Sequence, residues 1–182
     1  MLHSFAFFDY SGAFPLISPL PRPMDFSKAL HYFMQLVSVL NHCHVSHMTH
    51  GALNPCSILV ERKYNIKLLD FGHATWIDDD SPKVVHRIGT STDPDYFSPE
   101  VLSGAPYDAR IADVWSCGII FCMLITGCLP YEDSAVDFTK RKVILPSGVP
   151  PVAKDLLRRM LTEDGDNRIT VNLLDECVRL AS

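Results

Sequence analysis

From Val114 to Ile125 the chain is apolar at almost every position, and Ser116 is the one clearly polar side chain in the run. About a dozen residues fall short of the roughly 20 that a membrane-crossing helix needs, so the segment reads as a core helix. A helix that is apolar all round has to be packed on every side by the rest of its chain. Partners with one apolar face each are therefore required. One is visible upstream, where Phe26, Leu30, Phe33, Met34, Val37 and Leu40 recur every three or four positions. That period predicts an amphipathic helix over about 25–46.

The remaining elements are shorter. Prolines at 15, 19, 21 and 23 keep the chain ahead of that helix irregular. Ile58-Leu59-Val60 and Ile66-Lys67-Leu68-Leu69 are strand-like runs separated by a polar turn, which predicts a small hairpin. The stretch 70–98 lacks sustained periodicity and reads as loop. Helices are expected at about 99–104, 111–127, 151–161 and 170–181, with Pro150-Pro151 and Thr170 as starts. The fold class is mainly α (α+β), a helical bundle with one small hairpin.

A length of 182 residues suits one domain with a real core, and 47% hydrophobic with 20% charged content is ordinary for a globular chain. The net charge of −5 argues against a nucleic-acid or anionic-membrane partner, because both call for concentrated positive charge. Lys140-Arg141-Lys142 is too short a basic run to reverse that. Six cysteines show no Cys-x-x-Cys spacing and read as reduced thiols of a cytoplasmic protein. Phe5-Ala6-Phe7-Phe8 has no basic flank and is interrupted by Asp9, so it is not read as a signal peptide.

The chemistry-bearing motifs begin at His50-Gly51-Ala52-Leu53-Asn54-Pro55-Cys56-Ser57, followed by Asp70-Phe71-Gly72. Together they resemble a protein-kinase catalytic loop and the metal-binding Asp-Phe-Gly motif. Further matches follow in order: Cys43-His44 before the loop, Tyr96-Phe97-Ser98-Pro99-Glu100 as an Ala-Pro-Glu segment, and Asp113-Val114-Trp115-Ser116-Cys117-Gly118 opening the central helix. Gly127-Cys128-Leu129-Pro130-Tyr131 is similar to the exit of that helix, and Arg168-Ile169-Thr170 to the closing motif. The resemblance implies the C-terminal lobe of a serine/threonine protein kinase. Within that family it points to the calcium/calmodulin-kinase-like group, with a weaker likeness to testis-specific serine kinases. The Leu53-x-Pro55 pattern favours serine/threonine over tyrosine type.

What the resemblance implies for single residues is mostly loss. Ala52 stands where the catalytic Asp would accept the substrate proton, Asn54 where a Lys would neutralise the transferring phosphoryl group, and Ser57 where an Asn would hold magnesium. Gly51 replaces the arginine that clamps a phosphorylated activation loop. No catalytic residue is assigned. Asp70 and Ser57 are the vestigial candidates for Mg-ATP, with Asp70 either a magnesium ligand or the side-chain cap of a turn. His50, Phe71, Gly72, Glu100, Asp113 and Arg168 take structural roles in the family, Glu100 pairing with Arg168 and Asp113 holding the catalytic loop. The imidazoles of His42, His44, His47 and His50 raise a zinc reading, which the expected helix end near residue 46 disfavours. Thr90, Ser91 and Thr92 are candidate phosphorylation sites on a loop.

Phe7 to Gly12 resembles the hinge between kinase lobes, so residues 1–24 read as hinge remnant and Pro-rich connection and 25–182 as the lobe. The glycine-rich loop and strand lysine of an N-lobe are not found ahead of it. Two functions follow from this. One is a pseudokinase lobe that transfers no phosphate, needs no cofactor and docks a protein partner of unknown identity. The other is an ATP-dependent serine/threonine kinase, or a fragment of one whose N-lobe is lost or omitted.

Overall fold

The central helix, α3, runs Ala109–Thr126 and has fifteen buried residues, among them Trp115, Ile119, Ile120 and Phe121. Asp108 starts it by accepting the Arg110 backbone N–H at 2.9 Å, and Gly127 ends it in the left-handed conformation at φ 71°. The sequence places this start at 111. The side chain of Asp108 caps two residues earlier than the apolar run alone suggests. Of the window long and apolar enough for a membrane, 78% is buried inside the fold. The computed structural model describes residues 14–16, 23–61, 64–85, 93–131, 138 and 141–180.

Helix α1, Phe26–Val45, lies against α3 with Ala29, Tyr32, Phe33, Leu36, Val37 and Leu40 buried. Its N-cap Asp25 accepts the Ser27 N–H at 3.0 Å. Phe33 stacks on Phe121 with ring centroids 3.8 Å apart, and the Met24 N–H donates to the Leu124 carbonyl at 2.8 Å. Helices α4 (Pro151–Met160) and α5 (Val171–Leu180) close the other sides. At Gly118 the end of α4 packs tightly on α3: a Cβ there would lie 3.0 Å from Leu161 Cδ2 and 3.1 Å from Met160 Cβ.

The β structure is small and sits at the lobe's edge. Strands β1 (Phe14–Pro15), β3 (Ile58–Val60) and β4 (Ile66–Leu68) form an antiparallel sheet in the order β1-β3-β4. The β3–β4 hairpin is the one the sequence predicts; β1 is added to it, since Pro15 occupies an edge strand where its missing N–H costs nothing. The region read as loop over 70–98 also holds structure. There β5 (Thr75–Trp76) pairs with β2 (Met48–Thr49), and β6 (Lys83–Val84) pairs with β7 (Tyr107–Asp108). Single helical turns occupy Phe71–His73 and Pro94–Tyr96, and α2 spans Pro99–Ser103. Two-residue strands are too short to show a period. The hinge reading at Phe7 to Gly12 and the hydroxyls of Thr90 to Thr92 lie outside the described residues.

Candidate functional site

Asp113, 1% exposed in the first turns of α3, holds the loop that follows β2. Its carboxylate accepts three hydrogen bonds: Oδ2 from the His50 backbone N–H at 2.8 Å and from His44 Nε2 at 3.0 Å, and Oδ1 from the Gly51 N–H at 2.9 Å. Three charge-assisted bonds in a buried place account for how a carboxylate is tolerated there. The loop's entry is thus set by backbone N–H groups, whatever side chains it carries. His50 is fully buried, its Nε2 donates to the Leu69 carbonyl at 2.9 Å, and its ring lies 5.0 Å from that of Phe71. Its Nδ1 is buried without a partner.

Gly51 is the point of closest approach. Its φ is +79°, and a Cβ added there would meet the His73 carbonyl oxygen at 2.2 Å. No side chain fits without moving the His73 backbone. The loop and the turn Phe71–His73 are therefore closed on each other through a residue that must be glycine.

Beyond Ala52 the loop is tied to itself. Asn54 caps the short turn Pro55–Ser57: its Oδ1 accepts the Cys56 N–H at 2.8 Å, and its Nδ2 donates to the Ala52 carbonyl at 3.0 Å. Ser57, 2% exposed, donates its hydroxyl to the Asn54 carbonyl at 2.7 Å and accepts the Asn54 N–H at 3.3 Å. This reciprocal pair satisfies two donors at once. Asn followed by Pro and then Ser three places on is a helix-start signature that the sequence carries and that motif comparison passes over.

Asp70 has φ 63° and ψ 64°, and its side chain makes no capping bond to the turn that follows. The turn-capping alternative for Asp70 is therefore corrected: the carboxylate is exposed, beside Gly72, where a Cβ would meet Asp70 Oδ1 at 3.2 Å. Phe71 is 37% exposed. Three of the four histidines turn to different partners, His44 to Asp113, His50 to Leu69, and His47 Nδ1 lying 3.3 Å from Asp79 Oδ2. Among the described residues no three His, Cys, Asp or Glu side chains gather as metal ligands.

The segment 93–100 is fixed from α3 and from the chain beyond it. Ser116 Oγ donates to the Tyr96 carbonyl at 2.8 Å, and Tyr131 Oη donates to the Asp95 carbonyl at 3.1 Å while accepting from Trp115 Nε1 at 3.3 Å. Burial pushes the Tyr131 phenol up to about 12. Arg141 pairs with Asp95 and stacks over Phe138, its Cζ 4.0 Å from the ring centroid. Burial raises the Asp93 carboxyl, and burial together with Asp93 raises the Cys56 thiol. Further on, Arg168 uses all five of its donors. Nε goes to the Thr162 carbonyl at 2.9 Å, Nη1 to Glu100 Oε1 at 2.5 Å and the Ile111 carbonyl at 3.0 Å, and Nη2 to Glu100 Oε2 at 3.0 Å and the Glu163 carbonyl at 3.3 Å. Its guanidinium also sits over Trp115 at 4.9 Å.

Magnesium-ATP is the cofactor of the family these motifs resemble. The donor set fits it badly: Ser57 Oγ is buried and engaged on Asn54, the Asn54 amide is turned onto Ala52, and Asp70 alone offers an exposed oxyanion. A hard cation that prefers near-octahedral oxygen ligation gets one carboxylate here.

Comparison with known proteins agrees with this architecture. The protein kinase domain profile matches residues 13–178. The serine/threonine protein kinase OSK3 of Oryza sativa is 37% identical over 155 residues, covering 82% of this chain and 30% of the relative. The SNF1-related protein kinase catalytic subunit alpha KIN12 of Arabidopsis thaliana is 35% identical over 150 residues, 79% of this chain and 29% of its own length. The serine/threonine-protein kinase GIN4 of Saccharomyces cerevisiae is 33% identical over 156 residues, 81% of this chain and 13% of its own. The chain thus spans less than a third of these relatives, and it belongs to the protein kinase family.

Proposed function

We propose that this lobe transfers no phosphate and works by binding a protein partner. The observation that carries the reading is the state of the loop at Ala52 to Ser57. No carboxylate stands at Ala52, and the polar groups at Asn54 and Ser57 are spent on the loop's own backbone. General-base help of about 10²–10⁴-fold is missing from that position, and so is the charge that would neutralise a phosphoryl group. Six free thiols support a cytoplasmic setting. A place in the calcium/calmodulin-kinase-like group belongs to the same proposal.

The test is radiolabelled transfer from ATP with magnesium to generic serine/threonine peptides, alongside a thermal-shift titration of the same chain. The expected outcome is no transfer and a melting temperature unmoved by millimolar Mg-ATP, since a ligand of the folded state must raise it. Ala52→Asp is expected to restore nothing, because positioning and charge neutralisation are also gone. Transfer that disappears in Asp70→Ala would sink the reading. Two observations favour the alternative of an active serine/threonine kinase: relatives of that printed name match four-fifths of the chain, and Asp70 keeps its exposed carboxylate. Transfer activity would decide for it.

A further inference from the structure

We infer that the outward face of the β2–β5 ribbon is a docking surface for a partner segment that carries lysine or arginine beside apolar side chains. The inference rests on the binding half of the proposed function and is independent of whether phosphate is transferred. In the ribbon, Met48 is opposite Trp76 and Thr49 opposite Thr75. Thr49 is fully buried, so that pair faces inward and alternation sends Met48 and Trp76 outward. Trp76 is 76% exposed, and Val45, at the end of α1 three residues before Met48, is 70% exposed. Single exposed apolar residues are commonplace; here the two most exposed large apolar side chains among the described residues flank one ribbon, and no described residue covers them.

The charge beside this face selects the occupant. Asp78, Asp79 and Asp80 follow β5 directly, all exposed. Asp79 ties the loop to His47 at the start of the ribbon at 3.3 Å and to Arg110 on α3 at 3.0 Å, and the Ile77 N–H donates to the His47 carbonyl at 2.8 Å. Among the described residues the Asp78 side chain accepts the Asp80 N–H at 3.1 Å and no cation, and the Asp80 carboxylate has no partner. Arg110, the cation that reaches this loop, is shared between Asp79 and Asp108 and makes no bond to Asp78 or Asp80 among the described residues. An exposed indole followed two and four residues on by carboxylates that no described cation neutralises matches a segment that brings a cation beside an apolar group. A second copy of this chain fits poorly. It carries −5, and the middle residue of its one basic run, Arg141, is committed to Asp95.

Tryptophan fluorescence provides the assay, because the chain has two tryptophans and the other, Trp115, is 2% exposed. The full chain is titrated with a tryptophan-free amphipathic peptide of leucine and lysine, with a leucine and glutamate peptide as control. Expected are a saturable blue shift, protection of Trp76 from acrylamide, and affinity that falls as salt rises. With a fluorescein-labelled peptide followed by anisotropy, Trp76→Ala is expected to weaken binding about tenfold, in the range of an interface anchor. The Asp78→Asn, Asp80→Asn double variant is expected to weaken it and flatten the salt dependence, while Leu173→Ser on α5 leaves it unchanged. Circular dichroism confirms that each variant is folded. Equal binding by the acidic peptide, undiminished binding to folded Trp76→Ala, or no binding of the basic peptide would each overturn the inference.

Discussion

Replacing Gly51 by alanine tests whether the loop is closed on the turn after Asp70. Two costs follow from the geometry. A left-handed backbone costs a non-glycine residue roughly 1–2 kcal/mol. The new methyl carbon would also stand 2.2 Å from the His73 carbonyl oxygen, a backbone atom that moves only with its chain. Relief by shifting Gly51 instead strains its N–H bond of 2.9 Å to Asp113, and bonds to charged groups contribute about 1.5–3 kcal/mol. With part of that bond lost, the total is about 2–4 kcal/mol. For a chain of this size that lowers the melting temperature by roughly 5–15 °C. Gly104 supplies the internal control: its φ is +71°, and a Cβ there would meet nothing within 4 Å. Gly104→Ala therefore carries the backbone term alone, about 1–2 kcal/mol. Both variants are compared by differential scanning calorimetry. If Gly51→Ala melts no lower than Gly104→Ala, the close approach to His73 is not part of the folded state and the argument fails.

Arg168→Met leaves Glu100 facing a buried apolar side chain with four carbonyl and carboxylate groups short of donors, and should cost about 3–5 kcal/mol in urea denaturation. Asp113→Asn keeps the volume but offers one oxygen where three donors converge, so a loss of about 2–3 kcal/mol is expected, with hydrogen exchange at His50 and Gly51 accelerated most. Alkylation of Cys56 by iodoacetamide, followed by peptide mass spectrometry, should rise with pH to a midpoint above that of an ordinary thiol, because burial and Asp93 disfavour the thiolate. Asp93→Asn should bring that midpoint down; an unchanged midpoint would remove the carboxylate from the explanation.

The helices were legible wherever burial writes a period into the chain. The expected helix over about 25–46 is α1, Phe26–Val45, and the expected starts near 99 and 151 are Pro99 and Pro151. Interactions that do not repeat were hidden. The β2–β5 and β6–β7 ribbons are two residues a side, held by backbone bonds that any side chain permits. His44 on Asp113 and Arg141 on Asp95 join positions far apart in the chain, and neither residue type announces its partner. Gly51 is the instructive case at the site. As a motif position it reads as an arginine lost, whereas the geometry makes it a glycine required.

That difference bears on how a catalytic loop changes its chemistry and keeps its shape. Asp113 holds the loop through the N–H groups of His50 and Gly51, and Ser57 and Asn54 hold each other through one carbonyl and one N–H. Neither set of bonds needs an acid at Ala52, so the fold exerts little demand on that residue. The side chains at 54 and 57 have in turn taken up roles in the loop's own scaffold, which a lysine and an asparagine there would vacate. An arginine at 51 would have to displace the His73 carbonyl before it could reach any phosphate. On the proposed reading, a return to phosphotransfer therefore needs at least the three positions 52, 54 and 57 to change together, and the loop-clamping arginine at 51 would further require the turn Phe71–His73 to shift. Single changes at 54 or 57 lose a structural bond before any catalytic one is gained, whereas Ala52→Asp loses none and gains no partner groups to work with.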